Sequence, residues 1–472
     1  MDKNIRRICR FFLILFTILA LYLGYINLYL GPSMATSPYN RRLAAIEEKI
    51  PRGTIYDRNG KVLAETRNGK RIYPLGRDAV HVIGFISRRY GRTGLERVYD
   101  QHLLGISKEN ELQSIINKLL GRVQKGNDIV VTLDAALQEK ASDLLGNRKG
   151  AVVALDPRTG DILVLASSPS FDPENLEEKA TGTSTRYDLL LKDNDSPLIN
   201  RATQGAYPPG STFKLVTGGG MLTSDPTSAY RSVNCRGEIT VEGFTLPDIA
   251  SHGITDFDKA IALSCNTFFA TGGLELGAEK LYEAAEAFGI TKNPWEGKVQ
   301  EVPCRPGTLT PPNKMSKAQI ASTAIGQGEL LVSPLHMALV AAAVANDGII
   351  MRPHLLDRVQ TQDDGEIIIK YTPEEWLEPI GQTAARILKR AMVKAVEEGT
   401  AARAAIPGIT VAGKTGSAQN PSGAPHAWFV GFAPAEEPRI AVAVIIENGG
   451  AGGSAAAPIA REIMKMALKI EQ

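Results

Sequence analysis

Cysteine is scarce and poorly spaced for metal work. The four in this 472-residue chain, Cys9, Cys235, Cys265 and Cys304, form no Cys-x-x-Cys and no Cys/His cluster at zinc-finger intervals. A structural metal site therefore has little support in the sequence, and simple buried thiols or one Cys235–Cys304 disulfide both stay open. The six histidines lack ligand spacing too, so His252, His336 and His354 read as structural or exposed side chains. An excess of charge is also missing. Lys plus Arg (53) nearly cancels Asp plus Glu (51), and a net +2 provides no field of the kind that holds nucleic acid. Internal repeats and low-complexity tracts are not evident. What is present, 43% hydrophobic against 22% charged residues, is the balance of a folded protein, and the length implies roughly two to four units.

One long apolar run stands out, at residues 11–30, behind Lys3, Arg6, Arg7 and Arg10. About 20 apolar residues cross a bilayer as a helix. Positive charge on the N-terminal flank keeps that end in the cytoplasm, so residues 1–10 are expected as a cytoplasmic tail and the chain from about 31 onward outside the cytoplasmic membrane. Ser33-Met34-Ala35 offers a cut site for a signal peptide, but the run exceeds the usual apolar core of about 7–15 residues, which favours a retained anchor.

Residues 31–127 read as a small accessory domain. Arg52-Gly53-Thr54-Ile55-Tyr56-Asp57-Arg58-Asn59-Gly60-Lys61-Val62-Leu63-Ala64 alternates like two strands around an Asn-Gly turn. Arg52, Asp57, Arg58 and Glu96 are expected to form a structural ion-pair network. Residues 128–472 read as a larger α/β unit. A helix is expected at 134–145, a hairpin from 150–155 to 161–166 around Asp156-Pro157-Arg158-Thr159-Gly160, and a second strand pair at 427–432 and 440–446 before a helical tail. The middle, 175–405, is mostly helical in pattern. Strands from both ends enclosing helices predict one antiparallel sheet sandwiched by helices.

Chemistry concentrates in three short stretches. Pro208-Pro209-Gly210-Ser211-Thr212-Phe213-Lys214 ends a turn and opens a helix, which puts Ser211 and Lys214 on one face. A serine alcohol needs an adjacent base, and lysine serves only when neutral, through burial or a neighbouring cation. Ser264-Cys265-Asn266 and Lys414-Thr415-Gly416-Ser417 complete the set. Ser232-Val233-Asn234 also fits Ser-x-Asn, but in an expected loop. Trp428 reads as core.

Ser-x-x-Lys, Ser-x-Asn and Lys-Thr-Gly together resemble the penicillin-binding proteins and serine β-lactamases. The chain from about 1 to 470 is similar to class B penicillin-binding proteins of the short A type. The hairpin at 52–64, Arg71-Ile72-Tyr73-Pro74-Leu75-Gly76 and Gly91-Arg92-Thr93-Gly94-Leu95-Glu96 match that class's membrane-proximal motifs, and Ile325-Gly326-Gln327-Gly328 and Ala345-Asn346-Asp347-Gly348 resemble the transpeptidase region. The resemblance implies that Ser211 attacks the penultimate D-Ala carbonyl of a stem peptide, with Lys214 as base. Ser264 relays a proton to the leaving amine and Asn266 holds Lys214 and the substrate amide. Lys414 and Thr415 bind the terminal carboxylate, Gly416 permits close approach, and the N–H groups of Ser211 and Ser417 form the oxyanion hole. It implies β-lactams as covalent inhibitors, no cofactor, and a separate membrane glycosyltransferase of the shape, elongation, division and sporulation family as partner. Two features depart from the pattern: Ser417 stands where Thr is commoner, and Gly218-Gly219-Gly220 falls inside the helix, where close packing is expected.

Other classes fare worse. Gly408-Ile409-Thr410-Val411-Ala412-Gly413-Lys414-Thr415 fits a phosphate loop, yet it alternates like a strand and runs into Asn420-Pro421 instead of a helix. A D,D-carboxypeptidase or β-lactamase would give the same acyl-enzyme to water, but no Glu-x-x-Leu-Asn segment lies between Asn266 and Lys414. A penicillin sensor would carry several spans or a cytoplasmic relay before its binding domain.

Overall fold

The computed structural model describes residues 3–26, 50–107, 109, 125–421 and 423–469. The first element is the helix Lys3–Tyr25, whose apolar side chains from Phe11 to Tyr25 are exposed along the helix. The candidate span within it, Asn4–Tyr25, starts earlier than residue 11, and the expected end at 27–30 lies outside the described residues.

A six-stranded sheet follows, in the order Ile367–Lys370, Leu356–Thr361, Asn127–Val131, Ile55–Tyr56, Val62–Arg67, Lys70–Ile72. The Asn-Gly hairpin forms as expected, with Ile55 opposite Ala64 and Gly60 at φ +85°. Ile55–Tyr56 also pairs in parallel with Asn127–Val131, so the boundary expected at 127/128 falls inside a shared sheet. Here Gly53 is obligatory, because a Cβ on it would lie 1.8 Å from the Asn127 carbonyl oxygen.

The expected ion-pair network exists with a different membership. Glu96, fully buried, takes Arg71 at 2.6 Å and Arg52 at 2.7 Å, while Asp100 takes Arg52 at 2.6 Å and Arg92 at 2.8 Å. Asp57 is instead a backbone cap, accepting from the N–H groups of Asn59, Lys61 and Ala135. Arg58 lies 3.8 Å from Asp161, outside the network. Both sit in the turn, where Asp57 is taken up by those N–H groups and Arg58 is directed toward Asp161.

The second sheet is antiparallel and five-stranded, in the order Ala412–Ala418, His426–Ala433, Ile440–Ile446, Gly150–Leu155, Ile162–Ser168. Strands from the two ends of the chain meet at its centre, where Ala443 faces Val153. The central strands are buried at every position, which demands cover on both faces. Pro334–Ala345, buried at every residue, and the amphipathic tail helix Ala457–Ala467 both pack on Ile440–Ile446. The fold is therefore mixed α/β, a helix-covered antiparallel sheet.

The middle of the chain is less helical than its pattern predicts. Ser232–Cys235 pairs with Gly253–Asp256, and Glu238–Val241 with Phe244–Pro247, so the Ser232-Val233-Asn234 decoy lies on a strand and not in a loop. The glycine run does pack closely: a Cβ on Gly219 would meet Phe288 at 2.9 Å and Ile380 at 3.0 Å, and one on Gly220 would meet Ala284 at 2.8 Å. These contacts draw the helix Lys214–Ser224 tight against Asn266–Ala287.

Burial opposes the charge on Glu96, yet Arg71 and Arg52 outweigh it and hold its carboxyl below the ordinary range. Removing that anion leaves guanidinium charge unpaired, so Glu96→Ala should destabilise the chain by about 3–5 kcal/mol in urea unfolding. Stability from this pair is present above the unfolded carboxyl pKa and is lost as pH falls through the lower folded one.

Candidate active site

The turn before the helix is fixed from three sides. Gly210, at φ +55°, donates its N–H to the Gly326 carbonyl at 2.8 Å, while Trp428 Nε1 donates to Pro208 O at 3.0 Å and Thr212 Oγ1 to Pro209 O at 2.8 Å. Gly210–Phe213 forms a 3-10 turn that continues as the α-helix Lys214–Ser224. Residues three apart lie on one side of such a turn, which puts Lys214 on the same face as Ser211. Ser211 stays partly exposed, and Lys214 is fully buried.

Ser264 joins two helices, Phe257–Ala262 and Asn266–Ala287, at a φ of +62°, a left-handed conformation unusual for a residue with a side chain. That kink presents both its carbonyl and its hydroxyl to Lys214. Lys214 Nζ donates to Ser264 O at 2.6 Å and to Asn266 Oδ1 at 2.6 Å, and lies 3.4 Å from Ser264 Oγ. Asn266 Nδ2 is held in turn by the Pro247 carbonyl at 2.8 Å.

The third stretch is the edge strand Ala412–Ala418, in register with His426–Ala433 so that Gly416 faces Trp428. Lys414 is fully buried, and its Nζ donates to Ser264 Oγ at 2.9 Å and to Thr415 O at 3.0 Å. Thr415 Oγ1 bonds Thr400 Oγ1 at 2.7 Å, and exposed Ser417 accepts from the Gly452 N–H at 3.3 Å. A Cβ on Gly416 would lie 3.0 Å from Pro209 O and 3.1 Å from Thr212 Cγ2, so any side chain here would push this strand away from the Ser211 turn.

Ser211, Lys214, Ser264, Asn266, Lys414, Thr415, Gly416 and Ser417 thus converge from three distant segments. Burial pushes Lys214 down to about 8, against the opposing pull of Asp248, and pushes Lys414 well below the ordinary lysine range with Lys214's charge adding to the effect. Two ammonium groups sharing one hydroxyl in a dry site disfavour double protonation. Pro247, Thr400 and Gly452 were not legible as site residues, because they contribute backbone atoms or a small hydroxyl that carry no motif, while Gly326 lies in a stretch that resembles the transpeptidase region but had no role assigned to it. His336 and Trp428 are structural: His336 bonds Ser333 and the Lys292 carbonyl.

Two described families cover most of the chain. The penicillin binding protein transpeptidase domain matches residues 150–465, and the penicillin binding protein A dimerisation domain matches 52–129. The peptidoglycan D,D-transpeptidase PbpA of Mycolicibacterium smegmatis is 33% identical across 99% of this chain and 99% of its own length. The peptidoglycan D,D-transpeptidase MrdA of Acinetobacter baumannii is 34% identical over 82% of this chain and 64% of its own. The structure of penicillin-binding protein A from M. tuberculosis as an imipenem acyl-enzyme complex superposes with a TM-score of 0.81 at 33% identity, covering 89% of this chain and 100% of that one.

Asn266 both accepts from Lys214 and donates to Pro247, so Asn266→Ala removes one of the two close acceptors of a buried amine. A loss of roughly 1–3 kcal/mol in urea unfolding is expected, with an unchanged circular dichroism spectrum.

Proposed function

The chain belongs to the penicillin-binding protein transpeptidases, and from that membership we propose that it cross-links peptidoglycan stem peptides through an acyl-enzyme on Ser211. The convergence of Lys214, Ser264, Asn266 and Lys414 beneath the Ser211 turn carries this reading.

A neutral lysine has two N–H bonds and one lone pair. Ser264 O and Asn266 Oδ1 accept the two hydrogens, which leaves the lone pair for the Ser211 proton. Ser211 Oγ attacks the penultimate D-Ala carbonyl carbon as that proton moves to Lys214. The Ser211 N–H, at the start of a helical turn, and the Ser417 N–H, on the edge strand, receive the developing oxyanion. The C–N bond then breaks. Ser264, whose oxygen accepts from Lys414, is free to give its own proton to the departing terminal D-Ala amine and to recover one from Lys214. Thr415 and Ser417, alternate residues of one strand, face the substrate carboxylate, with the Lys414 charge buried behind them. An acceptor amine of a second stem peptide attacks the ester, loses its proton, and releases the Ser211 alcohol.

In this reading the helix Lys3–Tyr25 anchors the chain, residues 1–10 are cytoplasmic, 31–127 form the membrane-proximal accessory domain, and 128–472 are the extracytoplasmic catalytic domain. The N-terminal cluster of Lys3, Arg6, Arg7 and Arg10 supports that orientation. A glycosyltransferase of the shape, elongation, division and sporulation family supplies the glycan strands. β-Lactams bind as donor mimics and acylate Ser211; the M. tuberculosis protein forms an acyl-enzyme complex with imipenem.

Intact mass after incubation with a fluorescent penicillin should show one adduct, mapping to the Ser211 peptide and absent in Ser211→Ala. A label elsewhere, or rapid loss of the adduct to hydrolysis, would overturn the assignment or favour a hydrolase. Because Lys214 works as the neutral amine, the acylation rate should rise with pH and level off above about 8. Lys214→Ala should lower it by roughly 10²–10⁴-fold.

A further inference from the structure

The edge strand that carries Lys414, Thr415 and Ser417 is backed by a helix end to which the acyl-transfer chemistry assigns no part. The helix Gln382–Glu397 is followed by Gly399, where a Cβ would lie 2.3 Å from the Ala262 carbonyl oxygen, and the next residue is Thr400. Thr400 ties together the elements behind two of the three catalytic stretches. Its N–H donates to Ala262 O at 3.1 Å, at the end of the helix Phe257–Ala262 and two residues before Ser264. Its hydroxyl accepts from the Thr415 hydroxyl at 2.7 Å. On the far side Gly453 comes so near that a Cβ on it would lie 2.6 Å from Thr400 O, so the backbone of Thr400 is held independently of its side chain.

A hydroxyl has one donor and two acceptor sites, and it rotates to suit its partners. Thr415 spends its proton on Thr400. Among the described residues Thr415 is the only hydrogen-bond partner of the Thr400 hydroxyl, so the Thr400 proton is unspent.

We propose that Thr400 is a positioning residue for the terminal carboxylate of the acyl donor, acting through Thr415, a role that rests on the transpeptidase reading above. When the carboxylate arrives, Thr415 turns its O–H toward the anion, and Thr400 rotates to donate into the lone pair of Thr415 Oγ1. Every proton stays on its own oxygen. One hydrogen bond becomes two, and a hydroxyl that accepts from behind is a stronger donor in front. Ser417, on the same face of the strand, is arranged alike: its oxygen accepts from the Gly452 N–H at 3.3 Å, which leaves its O–H for the ligand. Thr400 and Gly452 thus fill the acceptor side of both edge-strand hydroxyls, and the two protons are directed at the two oxygens of one carboxylate.

The test uses the full-length chain in detergent and compares Thr400→Val, which keeps the shape and backbone contacts but removes the hydroxyl, with Thr400→Ser, which returns it. Acylation by benzylpenicillin is resolved into a dissociation constant for the reversible complex and a rate of ester formation. Thr400 reaches only the carboxylate and not the reacting atoms, so Thr400→Val should weaken the reversible complex about three- to tenfold and leave the rate of ester formation unchanged. Thr400→Ser should restore the binding. The methyl ester of the same penicillin, which has no anion, should bind the native and Thr400→Val chains equally. An unchanged dissociation constant, or an equal loss for acid and ester, overturns the proposal. So does a lower rate of ester formation, the mark of a structural disturbance relayed through Ala262 to Ser264. Reversible binding is also followed by ligand-observed NMR in the Ser211→Ala background, where adding Thr400→Val should give the same loss; a missing Ser211 adduct in the native chain would then refute the acyl-transfer reading separately. Thr400→Ala is read in the same way should the valine chain not fold, and collapse of both variants would overturn the proposal by showing the hydroxyl to be structural.

Discussion

Two lysines, both without solvent, share the hydroxyl of one serine, and the site is organised around keeping that arrangement tolerable. Lys414 Nζ sits 2.9 Å from Ser264 Oγ and Lys214 Nζ 3.4 Å from it. Water would screen two ammonium groups at such separations, but a dry interior does not. The charge is relieved by giving up a proton, and Lys214, on the helix that Ser211 opens and lowered by burial to about 8, keeps two acceptors that an amine or an ammonium ion satisfies. The left-handed backbone at Ser264 makes this possible by turning a carbonyl and a hydroxyl toward the same nitrogen. Strain held at that single residue is set against the reactivity of another.

The surrounding fold serves to bring backbone unusually close to backbone. Gly416 lets the edge strand lie on the Pro209 carbonyl, and Gly219 and Gly220 let the helix behind Lys214 press on Phe288 and Ala284. Glycines inside a helix cost about 1 kcal/mol each relative to alanine, so their presence is better explained by the separation they allow than by helix formation. Trp428 adds a clasp from the neighbouring strand to Pro208, joining sheet and nucleophile turn through one indole.

Much of this was legible in the amino-acid order. The three motifs, the Asn-Gly hairpin, the central strand pairs and the helix capped by Asp134 lie where local pattern places them, since each is governed by residues near in sequence. The misreadings share one cause: partners distant in the chain. Asp57 and Arg58 resemble members of an ion-pair network by composition, yet the turn geometry diverts one to capping and the other toward Asp161. Ser232-Val233-Asn234-Cys235 alternates, but its partner strand Gly253–Asp256 is reached only across the intervening Glu238–Pro247 hairpin, so no tight turn marks the pair.

Continuity of the six-stranded sheet has a mechanical consequence. The hairpin from Ile55 to Arg67 is not hung on the catalytic half by a tether; it is hydrogen-bonded through Asn127–Val131 to Leu356–Thr361. Fully buried Glu301 adds a bolt across the same seam, accepting from Tyr99 on one side and from the Leu355 and Leu356 amides on the other. A load applied to the outer hairpin is therefore passed to the catalytic half as shear along ladders of backbone hydrogen bonds.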